Sequence, residues 1–193
     1  METHRWRQRG GIELFQKGWA EVGRVAYIKP GTSQAVDGLY KEIAGMGRPV
    51  LNLYRALANQ PPALAAFLEM SRYVRAGSSL DTGLRELAIL ATAHELGQAY
   101  EVSHHTEAAA RVGVPLEKVA AVAPGGSLDA LTPAERCAVE FARQVAFTRS
   151  CDDAMFKRLQ SLFSTEQIVD LVLTTGWYHL CAVILGSLQV ELE

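Results

Sequence analysis

Seven residues able to carry chemistry fall in one short window: Arg85, Glu86, His94, Tyr100, Glu101, His104 and His105. Glu101 and His105 stand at i and i+4, so on a helix they share a face and lie within contact reach. A carboxylate beside an imidazole orients the ring and raises its basicity, which suits a general base. The same spacing also occurs in solvated surface pairs, so spacing alone does not separate the two readings. Glu86 can join them only through a change of direction. On one straight helix it would stand about 22 Å from Glu101, at about 1.5 Å per residue. Leu96-Gly97-Gln98 reads as a helix end, with Gly97 as the left-handed residue that follows it. If the chain turns back there, Glu86 comes within about one turn of the level of His105. The site argument depends on Gly97.

The remaining candidates are less specific. His104 neighbours His105 but points about 100° away on a helix, so both serve one site only if the pocket is wide. Arg85 suits a substrate carboxylate, or an internal ion pair. Tyr100, and Trp177, Tyr178 and His179 further on, are expected to line the pocket, with plain core packing as the other reading of Tyr100. His94 reads as a surface or helix-end residue. The His and Glu spacing matches no zinc signature, so no metal is assigned. Cys137, Cys151 and Cys181 are odd in number and widely spaced. They read as small hydrophobes rather than as a disulfide framework. A reducing cytoplasm is the simplest compartment.

The elements that must position these residues are helical almost throughout. Residues 1–11 read as a terminus, 12–23 as a short helix and 24–33 as extended chain running into the Pro30-Gly31 turn. Together, residues 1–33 are assigned to an N-terminal extension and 34–193 to a helical domain. From Val36 onward apolar residues recur at three- and four-residue spacing. Helices are expected over about 34–44, 50–58, 63–75, 83–96, 99–112, 116–122, 132–147, 152–162 and 165–188. Asn59 is the expected cap of the third, Asp81 or Thr82 of the fourth, and Thr132-Pro133-x-Glu135 is a capping box. The fold class is all-α, built from antiparallel helical hairpins.

Hydrophobic residues are 49% and charged residues 21% of the 193, the balance of a globular protein. A formal net charge of −2 gives no general attraction to nucleic acid or an anionic membrane. The longest apolar stretch, Trp177 to Val190, is interrupted by His179, Gly186, Ser187 and Gln189, and no segment reads as a membrane span or signal peptide.

The strings Leu84-Arg85-Glu86-Leu87-Ala88-Ile89-Leu90, Tyr100-Glu101-x-x-His104-His105 and Gly113-Val114, followed by Glu117-Lys118-Val119, resemble the carboxymuconolactone decarboxylase family. The resemblance extends over most of residues 48–193 and takes in Ser78-Ser79-Leu80 and Gln189-Val190-Glu191. It implies the alkylhydroperoxidase-D-like helical fold. The redox branch of that superfamily carries Cys-x-x-Cys followed by His. With Glu86 and His105 in register, the two cysteine positions fall on Gln98 and Glu101. A thiol peroxidase is therefore disfavoured. The surviving set, Glu86, Glu101 and His105, suits proton transfer without a cofactor, in a lyase or isomerase acting on a small organic acid or lactone. The alternatives are a reductase of the alkylhydroperoxidase kind and a non-catalytic binding or scaffold protein. The resemblance also implies a homo-oligomer, a trimer or hexamer. The apolar residues from Ile168 to Val190 point the same way, because they circle the whole helix and need cover on all sides.

Overall fold

The computed structural model describes residues 23–193. The expected helix over 12–23 lies almost wholly outside them. Among the described residues the regular elements are all helical: α1 (Gln34–Gly45), α2 (Asn52–Leu57), α3 (Pro61–Arg72), α4 (Thr82–Glu95), α5 (Ala99–Arg111), α6 (Leu116–Val122), α7 (Pro133–Thr148), α8 (Asp153–Leu162) and α9 (Thr165–Leu188).

Helix α4 is the axis of the molecule. Every residue from Leu84 to Ala93 is buried, because apolar side chains occupy all its faces. Ile89 joins a core with α1, α2, α3 and α9, and Leu84 and Ala88 join one with α7, α8 and α9. Leu87, Leu90 and Ala91 join a third with α5, α6 and α7. Arg85 and Glu86 are therefore carried into the interior with their apolar neighbours.

The caps explain most boundaries. The Asp81 side chain accepts from Leu84 N, and Thr132 with Glu135 forms the capping box of α7. Gly97 has φ +63°. Around it Gln98 N donates to Ala93 O at 2.8 Å and Gly97 N to His94 O at 3.1 Å, the paired bonds of a Schellman stop. The chain reverses there, and α4 and α5 form the antiparallel hairpin that the sequence implies.

Three expectations are corrected. Asn59 does not cap α3. Gln60 stands at that position, and the Asn59 amide instead donates to Ala26 O at 2.7 Å and Ala56 O at 2.8 Å. The helix expected to run to Arg75 leaves the α form at Arg72 and continues as a π-turn, Tyr73–Gly77. Asp170 of α9 fixes that turn by accepting from Tyr73 Oη at 2.6 Å, Ser79 N at 2.6 Å and Ser79 Oγ at 2.7 Å. Finally, α9 is long and apolar enough, by length and composition, to cross a membrane. Here it is a core helix that buries Leu171, Trp177, Tyr178 and Leu185 and carries the clamping Asp170.

Residues 24–33 run without regular structure along the helical domain and are tied to it. Arg24 N donates to Leu188 O, Ile28 N to Arg55 O, and Tyr40 Oη to Ile28 O.

Candidate active site

Helix α5 turns an unusual face inward: Tyr100, Glu101, His105, Ala108 and Ala109 are buried along one stripe. An acid and a base thus occupy positions where packing alone would place aliphatic side chains. The hairpin sets this stripe against Glu86 of α4. His105 Nδ1 lies 2.6 Å from Glu86 Oε2. Its other nitrogen, Nε2, lies 3.3 Å from Glu101 Oε2, off the line of the ring N–H and without a hydrogen bond. Glu86, Glu101 and His105 are 3%, 5% and 1% exposed. The three expected catalytic residues are brought together.

A carboxylate only accepts hydrogen bonds, so His105 Nδ1 donates to Glu86. With a second carboxylate across Nε2, the surroundings favour a proton on both ring nitrogens. Burial pushes the His105 pKa down, but the Glu101 and Glu86 carboxylates beside its two ring nitrogens outweigh this and hold it above the ordinary 6.5. Burial pushes Glu86 up. The bond to His105, with the charges of His105, Arg75 and Arg85, outweighs that and holds it below its ordinary 4.5. Between about pH 4.5 and 6.5 the pair is therefore carboxylate and imidazolium.

Two cavities meet at His105. The outer one, about 660 Å³, reaches Glu86, Arg85, Arg75, Arg48 and His104. The inner one, about 30 Å³, reaches Glu101, Tyr100, Trp177, Tyr178 and Cys181. His105 and Arg75 line both. Glu86 is the carboxylate presented to the outer cavity, and Glu101 the one held behind the imidazole.

The other expected site residues divide. Arg85 is buried in the outer cavity with Nη2 4.0 Å from Glu86 Oε1. Tyr178 stands edge-on to the His105 ring, with centroids 4.8 Å apart, and its buried hydroxyl has no hydrogen-bond partner among the described residues. Trp177 packs on Phe67 at a centroid distance of 4.4 Å. The Tyr100 and His104 rings pack at a tilt of 56°, with centroids 4.6 Å apart. His179 lines neither cavity. It follows Tyr178 by one residue and so points about 100° away.

Sequence reasoning missed three groups. Arg75 lies on the π-turn, a distortion frequent at functional sites, and no carboxylate among the described residues lies within 4.0 Å of it. Its signal was an arginine just before Gly77-Ser78-Ser79. Glu193 enters the outer cavity from the far end of the chain and accepts from Tyr100 Oη at 3.0 Å. Cys181, read only as a hydrophobe, faces the inner cavity beside Glu101. Burial, foremost, and Glu101 push its thiol well above the ordinary 9.0. Cys137 belongs to another core and Cys151 is half-buried elsewhere.

Residues 61–144 match the carboxymuconolactone decarboxylase family. Solved structures share most of the architecture. A peroxidase-related protein from Silicibacter sp. TM1040 superposes with a TM-score of 0.77 at 17% identity, over 92% of this chain and 95% of that one. The debrominase Bmp8, solved with 2,3,4-tribromopyrrole, does so with a TM-score of 0.74 at 19% identity, over 88% and 91%. In sequence, the protein YdfG of Bacillus subtilis (strain 168) is 24% identical over 115 residues, 58% of this chain and 78% of the relative. The family match covers residues 61–144, and the solved structures share the alkylhydroperoxidase-D-like all-α fold.

Proposed function

We propose that the protein is a cofactor-free lyase or isomerase that moves a proton on a small organic acid or lactone, with Glu86 as the group that meets the substrate. The observation that carries this reading is the Glu86–His105–Glu101 series, with Glu86 alone of the two carboxylates lining the outer cavity. Arginines on the same cavity suit an anionic substrate and the negative charge that develops on a carbonyl oxygen.

In an isomerisation, the Glu86 carboxylate takes a proton from the carbon beside a carbonyl. The electron pair moves onto the carbonyl oxygen to give an enolate. Glu86 then returns the proton to another carbon. In a decarboxylation, the bond to the carboxyl carbon breaks and CO₂ leaves. Its electron pair forms the same enolate, which takes a proton that His105 delivers through Glu86. Glu101 holds the imidazolium charge from behind, and Arg75 and Arg85 offset charge on the cavity side.

The test is a panel of small carboxylic acids and carboxylated lactones, followed by NMR for CO₂ loss or a shifted double bond. Conversion that needs no added metal, thiol or nicotinamide supports the reading. Turnover of peroxides or thiols, with none of the acids changed, overturns it.

The expected assembly rests on α9. Val169, Val172, Leu173, Leu180 and Val183 remain exposed along it at helical spacing. A second copy of this chain is the proposed cover, in a cytoplasmic homo-oligomer whose other partner is the small-molecule substrate rather than nucleic acid or a membrane.

A further inference from the structure

We propose that Tyr100, His104 and the Asn52 amide form a carboxylate-binding subsite at the edge of the outer cavity, where His104 also borders the inner one, and that Glu193 occupies it as an internal competitor which an anionic ligand displaces. This rests on the reading of the outer cavity as the substrate chamber.

Glu193 shows what the subsite accepts. Its Oε1 accepts from Asn52 N at 2.5 Å and from Tyr100 Oη at 3.0 Å, and its Oε2 lies 3.0 Å from His104 Nε2. The donors come from two different elements, the start of α2 and the inward side of α5, and converge on one carboxylate. The fit at His104 is incomplete. Nε2 is buried yet lacks a hydrogen bond, because Glu193 lies off the direction of the ring N–H. A carboxylate arriving from the cavity could align with it.

The surroundings are short of negative charge. Arg48 Nη1, Arg75 Nε and Arg85 Nε are each buried with no acceptor among the described residues. All three arginines line the same cavity. Buried cationic donors without acceptors are costly, and an anion in the cavity would satisfy them. Glu193 supplies one carboxylate at one end only.

Glu193 is also weakly held. Residues 190–193 have no regular structure, and Leu192 is 49% exposed. Val190 still packs on the core, and its N donates to Leu185 O at 3.0 Å. Beyond it, apart from the Glu193 side chain, the segment is tied by Asn52 Nδ2 to Glu191 O at 3.2 Å and by Glu191 N to Tyr27 Oη at 2.9 Å. Segments with few buried contacts open at small free-energy cost. A carboxylate on such a strap can leave when another takes its place. Until it does, the apparent affinity for an anion is lowered by the fraction of molecules in which the strap is docked.

Calorimetric titration of the full chain with succinate tests this without reading turnover. Glu193→Ala is expected to bind succinate about tenfold more tightly than the wild type, as removal of a docked competitor requires. Adding His104→Phe to Glu193→Ala should abolish the gain, because the donor that ligand and strap share is then lost. Unchanged or weaker binding by Glu193→Ala overturns the proposal. So does a gain that survives His104→Phe, which would mark a loss of general repulsion. Absence of succinate binding in every variant, with helicity intact by circular dichroism, overturns it too. None of these outcomes touches the proton-transfer reading, which fails only on turnover.

Discussion

His105 Nδ1 lies 2.6 Å from Glu86 Oε2, although the two residues are 19 positions apart and on opposite arms of a hairpin. Neither arm alone makes this contact. It exists because Gly97 reverses the chain and because α4 drags Glu86 into the core among Leu84, Leu87 and Leu90. The pair is almost fully buried, and buried charges with their partners contribute little net stability. Its retention in the interior is better explained by chemistry than by folding.

The two pKa displacements have opposite signs and fix the pH dependence. His105 is raised above 6.5, so its contribution to stability is complete below that pH and is lost as pH rises through the folded value. Glu86 is lowered below 4.5, so its contribution is complete above that pH and is lost as pH falls through the folded value. The stability difference between wild type and the Glu86→Gln, His105→Asn double variant should be most favourable to the wild type between pH 4.5 and 6.5. It should shrink on both sides. Urea midpoints across pH measure it, and a difference that grows above pH 6.5 contradicts the assignment.

Gly97→Ala isolates the turn. A Cβ at this position would meet nothing within 4 Å, so the cost is that of the left-handed backbone alone. That cost is about 1–2 kcal/mol for a non-glycine residue. Chemical denaturation should show this loss, with helicity retained below the transition. No loss would mean that the reversal does not require glycine.

Cys181→Ala separates proton transfer from thiol chemistry. Cys181 faces the inner cavity, and burial keeps it a thiol. Turnover of the organic-acid substrate should stay within about threefold of wild type, since a missing catalytic group would cost about 10²-fold or more. Loss of activity without loss of stability would restore a role for the thiol. Cys137→Ala serves as the control for a buried cysteine remote from the site.

The exposed stripe on α9 predicts association. Light scattering at micromolar concentration should give a multiple of 21.1 kDa. Val183→Glu, at a position 64% exposed, should shift the species toward monomer with the helical content unchanged. A monodisperse wild type at the monomer mass would contradict the proposal.

The contrast between Glu86 and Arg75 shows what the sequence could carry. Glu86 was reachable because every step was local: a four-residue Glu–His spacing, a glycine stop, then a reflection across the turn. Arg75 was not, since its direction comes from a π-turn that Asp170 clamps from 97 and 91 positions away. Glu193 was hidden for the same reason, as its partner Tyr100 lies 93 positions off. His179 shows the reverse failure. It has the right residue type beside Tyr178, but helical rotation carries it away from both cavities. Asn59 was spent on a tertiary bond to Ala26 rather than a local cap. Local chemistry was legible, and side-chain directions set by distant contacts were not.

Solvent-deuterium exchange tests the central claim most directly. The wild type, Glu86→Gln and His105→Asn are each incubated in D₂O with the acid or lactone found to turn over, and NMR follows deuterium at the carbon beside the carbonyl. Asn in place of His105 keeps a polar group between the two carboxylates. The account predicts deuterium in the wild-type product and a loss of rate of about 10²- to 10⁴-fold in both variants, the usual contribution of a positioned acid or base. Full-rate turnover by either correctly folded variant, or wild-type product without deuterium, would contradict it.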